Sequence, residues 1–258
     1  MSYLTLHKYF ELCHKNKLDN KDILHFSNNT MSMIDHIVKS IMYAREGVSK
    51  INPSTEDGKY ILDYIGFTGT ITRHFYNNIC NSDNLADITY LEIGTWYGSS
   101  SISAIYKNDI NGLFIDNWAQ FNGDSNIFKE NINKFIQDKS NLLFLESDCW
   151  KVNLNNLNIG PFNVYLYDGA HTELDHFKSL DYYYPVLKDV FIFIVDDWNW
   201  SGVRDGTMRA INKLGLHILF RHEEFISEDD LKNMPYHNGK QTWWNGIGIF
   251  LLSKSPTN

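Results

Sequence analysis

The sequence predicts a doubly wound α/β domain: a mostly parallel, seven-stranded sheet with an antiparallel edge strand, preceded by a helical N-terminal extension over residues 1–86. Three observations carry this. From Asp87 onward, five short apolar runs alternate with helical segments, the rhythm of strand–helix–strand crossovers in a parallel sheet. Each run is apolar almost throughout, as expected for strands covered on both faces. Two further apolar runs near the C-terminus follow with no clear helix between them, which permits antiparallel pairing at one edge.

In the extension, Ser32-Met-Ile-Asp35 is a candidate capping box, in which each side chain satisfies a free backbone N–H at a helix start. Ile34, Ile37, Val38, Ile41 and Met42 then recur at helical spacing, forming one apolar stripe. Gly47 is the expected stop, Ser49 to Gly58 reads as a loop, and Thr72–Ile79 as a further helix. This region reads as a cap or an oligomerisation element. The strand candidates are Tyr90–Ile93, Leu113–Ile115, Leu142–Leu145, Val164–Tyr167 and Phe191–Val195, then Leu216–Phe220 and Gly246–Leu252. Ser99–Tyr106, Asn126–Ile136 and Thr172–Leu187 are the helical segments between them. The residues from 87 to 258 therefore form one catalytic-type domain.

Composition narrows the function. Among 258 residues, 23 Lys+Arg against 31 Asp+Glu give a formal charge of −8, which disfavours a nucleic-acid binder that neutralises phosphates. Three dispersed cysteines, Cys13, Cys80 and Cys149, show no metal-ribbon or disulfide spacing and suit a reducing compartment. The N-terminus lacks the apolar core of a signal peptide, and the longest apolar run, Val190–Val195, is far short of a spanning helix. A soluble, cytoplasmic protein without membrane contact is expected.

In an open α/β sheet, ligands bind beyond the C-terminal ends of the strands. Here those ends read Glu92-Ile-Gly-Thr-Trp-Tyr-Gly98, Asp116-Asn-Trp118, Glu146-Ser-Asp-Cys-Trp150, Asp168-Gly-Ala-His171 and Asp196-Asp-Trp-Asn-Trp200. All five carry a carboxylate. Gly94 and Gly98 permit a tight strand-to-helix turn, but the position where a dinucleotide fingerprint needs its second glycine holds Trp96; an indole there, beside Glu92, obstructs and repels a pyrophosphate. S-adenosylmethionine (SAM) carries an ammonium and a sulfonium instead of a phosphate, and suits Glu92. Asp116, 24 residues beyond Glu92, has the spacing of an acid that meets ribose hydroxyls, and Asp148 is placed to accept from an adenine amino group. Thr95, Trp96, Asn117, Trp118 and Cys149 share these turns and join the expected cofactor contacts.

With these motifs the chain resembles the class I SAM-dependent methyltransferases, whose fold is Rossmann-like, from about Asp87 to the C-terminus. Tyr167-Asp-Gly-Ala-His171 and Val195-Asp-Asp-Trp198 look like the fourth- and fifth-strand motifs of metal-assisted O-methyltransferases, in a branch similar to macrocin-type sugar O-methyltransferases and cephalosporin-hydroxylase-like proteins. The resemblance implies cofactor contact for Glu92, Gly94, Gly98, Asp116 and Asp148, and a divalent metal on Asp168, Asp196 and Asp197. The family's third glycine is missing, because Ser100 follows Ser99.

Neighbouring strands lie ~4.8 Å apart, so Asp168 and the Asp196–Asp197 pair should converge, and three carboxylates there repel one another unless a cation or protons intervene. Magnesium on that cluster would acidify and orient a substrate hydroxyl, and His171 would take its proton. Trp198 and Trp200 are candidate platforms for the acceptor, and Arg204 a partner for an anionic group on it. The expected activity is O-methylation of a small polar acceptor, such as a sugar or glycan hydroxyl. Two other readings stay open: a SAM-binding partner protein without catalysis, and a hydroxylase-like oxidoreductase on the same fold.

Overall fold

The computed structural model describes residues 27–63, 66–227 and 242–256; Cys13 and the polar N-terminal segment lie outside them. Helix α1 (Asn28–Arg45) begins one turn earlier than the sequence suggests. Its cap is Ser27, whose hydroxyl accepts from the Thr30 amide at 3.2 Å, so Ser32 lies inside the helix and forms no capping box. The stop is as expected: Gly47 takes a left-handed φ of 67°, while Val48 N–H bonds back to the Tyr43 carbonyl at 2.8 Å, a C-terminal closure only glycine adopts without strain. Ile37, Val38 and Ile41 are fully buried, contributing roughly 2 kcal/mol each.

Part of the expected loop is a short helix, α2 (Glu56–Asp63). Thr55 Oγ1 accepts from the Gly58 amide at 3.1 Å, and a Cβ at Gly58 would lie 1.9 Å from the Asn52 carbonyl oxygen. That close approach explains a glycine which, in sequence, reads as a loop marker. Helix α3 (Thr70–Ile79) follows.

The sheet comprises β1 (Thr89–Ile93), β2 (Asn111–Asp116), β3 (Leu142–Glu146), β4 (Phe162–Tyr167), β5 (Leu187–Asp196), β6 (His217–Glu224) and β7 (Ile247–Ser253), in the order β3-β2-β1-β4-β5-β7-β6. Helices α4 (Ser99–Ile105), α5 (Ser125–Phe135), α6 (Glu173–Tyr183) and α7 (Ser201–Lys213) make the connections. The first five strands are parallel neighbours. β7 runs antiparallel to both β5 and β6, so the reversed strand is the penultimate one and β6 forms the edge. Helix α6 stops four residues before its expected end, because a tight turn containing Pro185 starts β5 at Leu187.

Two apolar layers cover the sheet. On one face Ile37, Ile41, Phe75 and Ile79 of the N-terminal helices pack with Ile102, Ile132 and the sheet residues Tyr90, Phe114, Val164 and Ile192. On the other, Leu180, Val203 and Ile211 of α6 and α7 pack with Leu91, Leu113, Tyr165 and Phe193. Helices α1 and α3 thus belong to the same core as the sheet. Among the described residues no helix is long and apolar enough to cross a membrane.

Candidate active site

A cleft of about 750 Å³ opens beyond the C-terminal ends of β1 to β5, where the strand ends were expected to converge. Gly94, Trp96, Asp116, Asn117, Asp148 and Cys149 line it, as do Asp168, His171, Asp196, Asp197 and Trp200. The turn after β1 is built around Gly94, at φ 90°, with a close approach to β4: a Cβ there would lie 1.9 Å from the Asp168 carbonyl oxygen. Asp116 organises the same turn. Its Oδ2 accepts from the amides of Thr95 at 2.8 Å and Trp96 at 2.7 Å, and its Oδ1 from the amide of Trp118 at 2.7 Å. One carboxylate therefore holds two strand-end loops, and with them Trp96 at φ 42° and Trp118 at φ 49°, conformations that cost a bulky residue roughly 1–3 kcal/mol each.

Several residues expected at the cofactor lie behind the cleft instead. Side chains alternate along β1: Tyr90 and Glu92 face the layer containing α3 and α4, whereas Leu91 and Ile93 face the other. Glu92 is fully buried, and its carboxylate accepts from Tyr90 Oη at 2.8 Å and from Ser100 and Ser101 Oγ at 2.7 Å each. Thr95 is buried. Trp118 donates its indole N–H to the Trp96 carbonyl at 2.6 Å and packs on Phe128. Gly98, at φ 92°, caps α4. Glu92, Thr95, Gly98 and Trp118 thus shape the turn from below and do not line the cleft.

Burial raises the Glu92 carboxyl to about 7, against the pull of its three hydroxyl donors. Between the ordinary carboxylate value near ~4.3 and about 7, the folded chain keeps a proton that the unfolded chain releases, so stability falls as pH rises across that window. The full loss above it is about 3–4 kcal/mol. Glu92→Gln should flatten this dependence and be more stable than the parent at pH 8, with the Tyr90 hydroxyl turning to accept from the new amide. Denaturant titrations of both proteins at pH 5 and pH 8 check this; parallel slopes would place the pH dependence elsewhere.

At the centre of the cleft stand the acids of β4 and β5. Asp168, His171 and Asp197 each offer a ligand atom within 4.8 Å of the others. His171 Nε2 lies 2.6 Å from Asp197 Oδ2, and Asn245 Nδ2 donates to Asp197 Oδ1 at 2.6 Å. Asp196 Oδ1 accepts from the Asp197 amide at 2.9 Å, and its side chain hydrogen-bonds to that of Asp168. Burial, and next the charge of Asp196, hold the Asp168 carboxyl well above the usual carboxylate range; burial and then Asp197 do the same to Asp196. Of the three acids expected to hold a metal, Asp196 thus faces Asp168, and His171 takes the third position in the cluster.

The aromatic expectations divide. Trp200 lines the cleft, edge-on to His171 at 4.9 Å between ring centroids. Trp198, expected at the acceptor, is wholly buried under the sheet edge, with its indole donating to Glu223 Oε1 at 2.7 Å, because the turn after β5 folds it back onto Phe250 of β7. Arg204, read as an anion contact, donates to the carbonyls of Trp198 and Asn199 at 2.6 and 2.7 Å and so ties down the loop after β5.

Sequence reasoning missed Phe67, Phe121 and Asn245 and favoured Trp198 and Trp200 over Trp244 as acceptor platforms, yet all four of Phe67, Phe121, Trp244 and Asn245 line the cleft. Phe67, from the segment before α3, stacks on Trp96 at 4.6 Å and lies 5.7 Å from Phe121 and 6.1 Å from Trp244. The Trp243-Trp244 pair was the available signal. Its place became definable only with the insertion of β7 beside β5, which registers Ile247 opposite Asp196.

No protein-family model and no curated protein matches the sequence. Among solved structures, SMU.776, classed as a methyltransferase and determined with S-adenosylhomocysteine (SAH), is 12% identical and aligns with a TM-score of 0.50. The alignment covers 73% of this chain and 50% of SMU.776. The chain has the fold of the SAM-dependent methyltransferases. The Bacillus cereus O-methyltransferase in complex with SAH is 11% identical, with a TM-score of 0.45 over 85% of this chain and 91% of its own. SAH-bound Podospora anserina methyltransferase PaMTH1 is 12% identical, with a TM-score of 0.44 over 84% and 87%. In the methyltransferase fold seen here, the glycine turn, the Asp116 clamp and the β4–β5 acids all open onto one cleft.

Proposed function

We propose that the protein transfers a methyl group from SAM to a hydroxyl of a small polar acceptor, such as a sugar or glycan, with help from a divalent metal. The observation that carries this reading is the charge of the cleft. Asp116, Asp148, Asp168, Asp196 and Asp197 line it, while no lysine or arginine does so among the described residues. Such a surface repels phosphates and favours cations. It suits a sulfonium donor and a dication, and it disfavours phosphorylated acceptors, nucleotides and nucleic acid. Asp116 and Asp148, both on the cleft, would accept from hydroxyl and amine donors of the cofactor.

The donor set also fits a metal. Asp168, His171 and Asp197 would hold the ion, and each aspartate already has an outer partner, Asp196 and Asn245 respectively, as ligating carboxylates usually do. A dication there would stabilise the acceptor's alkoxide by lowering its pKa. In the transfer the acceptor oxygen bonds to the methyl carbon as the carbon–sulfur bond breaks, the sulfonium becomes a neutral thioether, and the hydroxyl proton passes to solvent water. The chain's contribution is alignment: Gly94 brings the turn after β1 against the end of β4, so donor and acceptor sites sit side by side, the arrangement from which proximity gains arise. Trp200, Phe67, Phe121 and Trp244 provide apolar faces around the acids, able to cover the face of a sugar or aromatic ring and exclude water.

Calorimetric titration of SAM into the folded protein tests the reading. Micromolar binding, followed by metal-dependent methylation of a hydroxyl-bearing acceptor, is the expected result. Absence of binding would remove the donor assignment while leaving the fold, and binding without turnover on any acceptor would favour the partner-protein alternative.

A further inference from the structure

We infer that His171 is a ligand of the metal centre, so that the cluster Asp168–His171–Asp197 selects a first-row transition dication over magnesium. This deepens the proposed function, since it concerns the metal of that same site. The sequence alone assigned magnesium to an all-aspartate set and made His171 a base. The structure arranges the groups differently. His171 Nε2 and Asp197 Oδ2 face each other at 2.6 Å, and Asp168 completes a set of donor atoms within 4.8 Å of one another. Asp196 is engaged with Asp168 and with the Asp197 amide. The cluster therefore offers two carboxylates and one imidazole.

Each ligand is held in place by the chain. Asn245 takes one oxygen of Asp197 and leaves the other turned toward His171. Asp197 itself stands at φ 55°, an uncommon conformation for a non-glycine residue. The loop that carries it is fixed by Trp200 N–H to the Asp197 carbonyl at 3.1 Å and Asn199 N–H to the Asn245 carbonyl at 3.0 Å. The His171 ring meets the edge of Trp200. Backbone conformation, outer hydrogen bond and ring packing all converge on keeping three donor atoms together.

Ligand chemistry then decides the ion. Magnesium prefers oxygen donors in a near-ideal octahedron and keeps its waters, whereas imidazole suits ions further along the transition series. Replacing one carboxylate with an imidazole lowers the charge of the set and adds a softer donor, and both changes act against magnesium. The two-carboxylate, one-histidine count also differs from the two-histidine, one-carboxylate face of nonhaem iron oxygenases, so the inference stays within the transferase reading.

The test uses the metal alone and needs no acceptor. Purified, metal-stripped protein is titrated with Mn²⁺ and followed by electron paramagnetic resonance, with pulsed detection of ¹⁴N coupling. Cobalt and magnesium are then used as competitors. The expected result is one Mn²⁺ per chain with coupling from a directly bound imidazole nitrogen, displaced by near-stoichiometric Co²⁺ but only by a large excess of Mg²⁺. His171→Gln should remove the coupling and weaken Mn²⁺ and Co²⁺ by at least about tenfold, with a smaller change for Mg²⁺. Mn²⁺ bound without nitrogen coupling in the parent protein would overturn the ligand role, and so would failure of the folded parent to bind Mn²⁺ at all. The parent's spectrum decides the matter even if the variant folds poorly. SAM calorimetry on the same preparation reports separately on the donor site, so failure of the metal inference is distinguishable from failure of the transferase reading.

Discussion

Gly94→Ala should destabilise the protein by about 3 kcal/mol or more and weaken SAM binding by roughly 100-fold, about 2.7 kcal/mol. Two costs combine. Alanine at φ 90° is strained wherever it occurs, and here the added methyl would sit 1.9 Å from the Asp168 carbonyl oxygen and 2.5 Å from its carbonyl carbon. These are backbone atoms at the end of a central strand, so neither can swing aside as a side chain would. Relief requires parting the turn after β1 from the end of β4, which separates the donor loop from the acids. Gly215→Ala is the matched control: its φ is 64° and nothing lies within 4 Å of the added methyl, so it should show the strain cost alone, about 1 kcal/mol. Denaturant unfolding and SAM calorimetry on both variants measure the difference. Equal losses at the two positions would mean that the contact between β1 and β4 does not hold the cleft together.

That contact illustrates what the sequence discloses and what it withholds. The spacing of Gly94 after an apolar run predicts a tight turn, and the acids after five successive runs predict a shared edge; both expectations concern residues one or two steps beyond a strand, where chain direction settles position. Glu92 shows the limit. It lies inside the strand, where the two-residue alternation decides which face it takes, and only the packing of Ser100 and Ser101 on α4 reveals that its carboxylate turns away from the cleft. Trp198 and Arg204 follow Asp197 closely in sequence, but the turn after β5 is held back against Asn245 and Gly246 by the Asn199 and Trp198 amides, and neither side chain lines the cleft. Asn245 itself was invisible to strand-end reasoning, because it precedes a strand. It reaches the site only because β7 runs antiparallel beside β5, and the start of such a strand adjoins the end of its neighbour. Phe67 was missed for a related reason: the N-terminal helices read as a cap, yet they share the core of the sheet and place an aromatic side chain over the glycine turn.

Asp168→Asn separates stability from function most sharply. The parent holds Asp168 beside Asp196 and Asp197 in a buried cleft, and burial together with these like charges keeps its carboxyl well above the ordinary range. Without a cation the arrangement costs folding energy. Asparagine has the same shape, carries no charge and can donate to the Asp196 carboxylate in place of the shared hydrogen bond. The metal-free variant should therefore be more stable than the parent by about 1–3 kcal/mol, a rise in Tm of roughly 2–4 °C for each kcal/mol in a chain of this size. Adding Mn²⁺ should reverse the order: the parent gains stability according to the ratio of metal concentration to its Kd, while the variant, lacking an anionic ligand, gains little. Turnover should be lost and SAM affinity nearly unchanged, since Asp116, Asp148 and the glycine turn remain intact. Thermal melts with and without Mn²⁺, set beside SAM calorimetry, give all three readouts. A variant that is less stable than the parent in the absence of metal would refute the account of a repelling acid cluster. One that loses SAM binding would move Asp168 from the metal and acceptor side of the cleft to the donor side, and the division of labour between the turn after β1 and the acids of β4 and β5 would have to be redrawn.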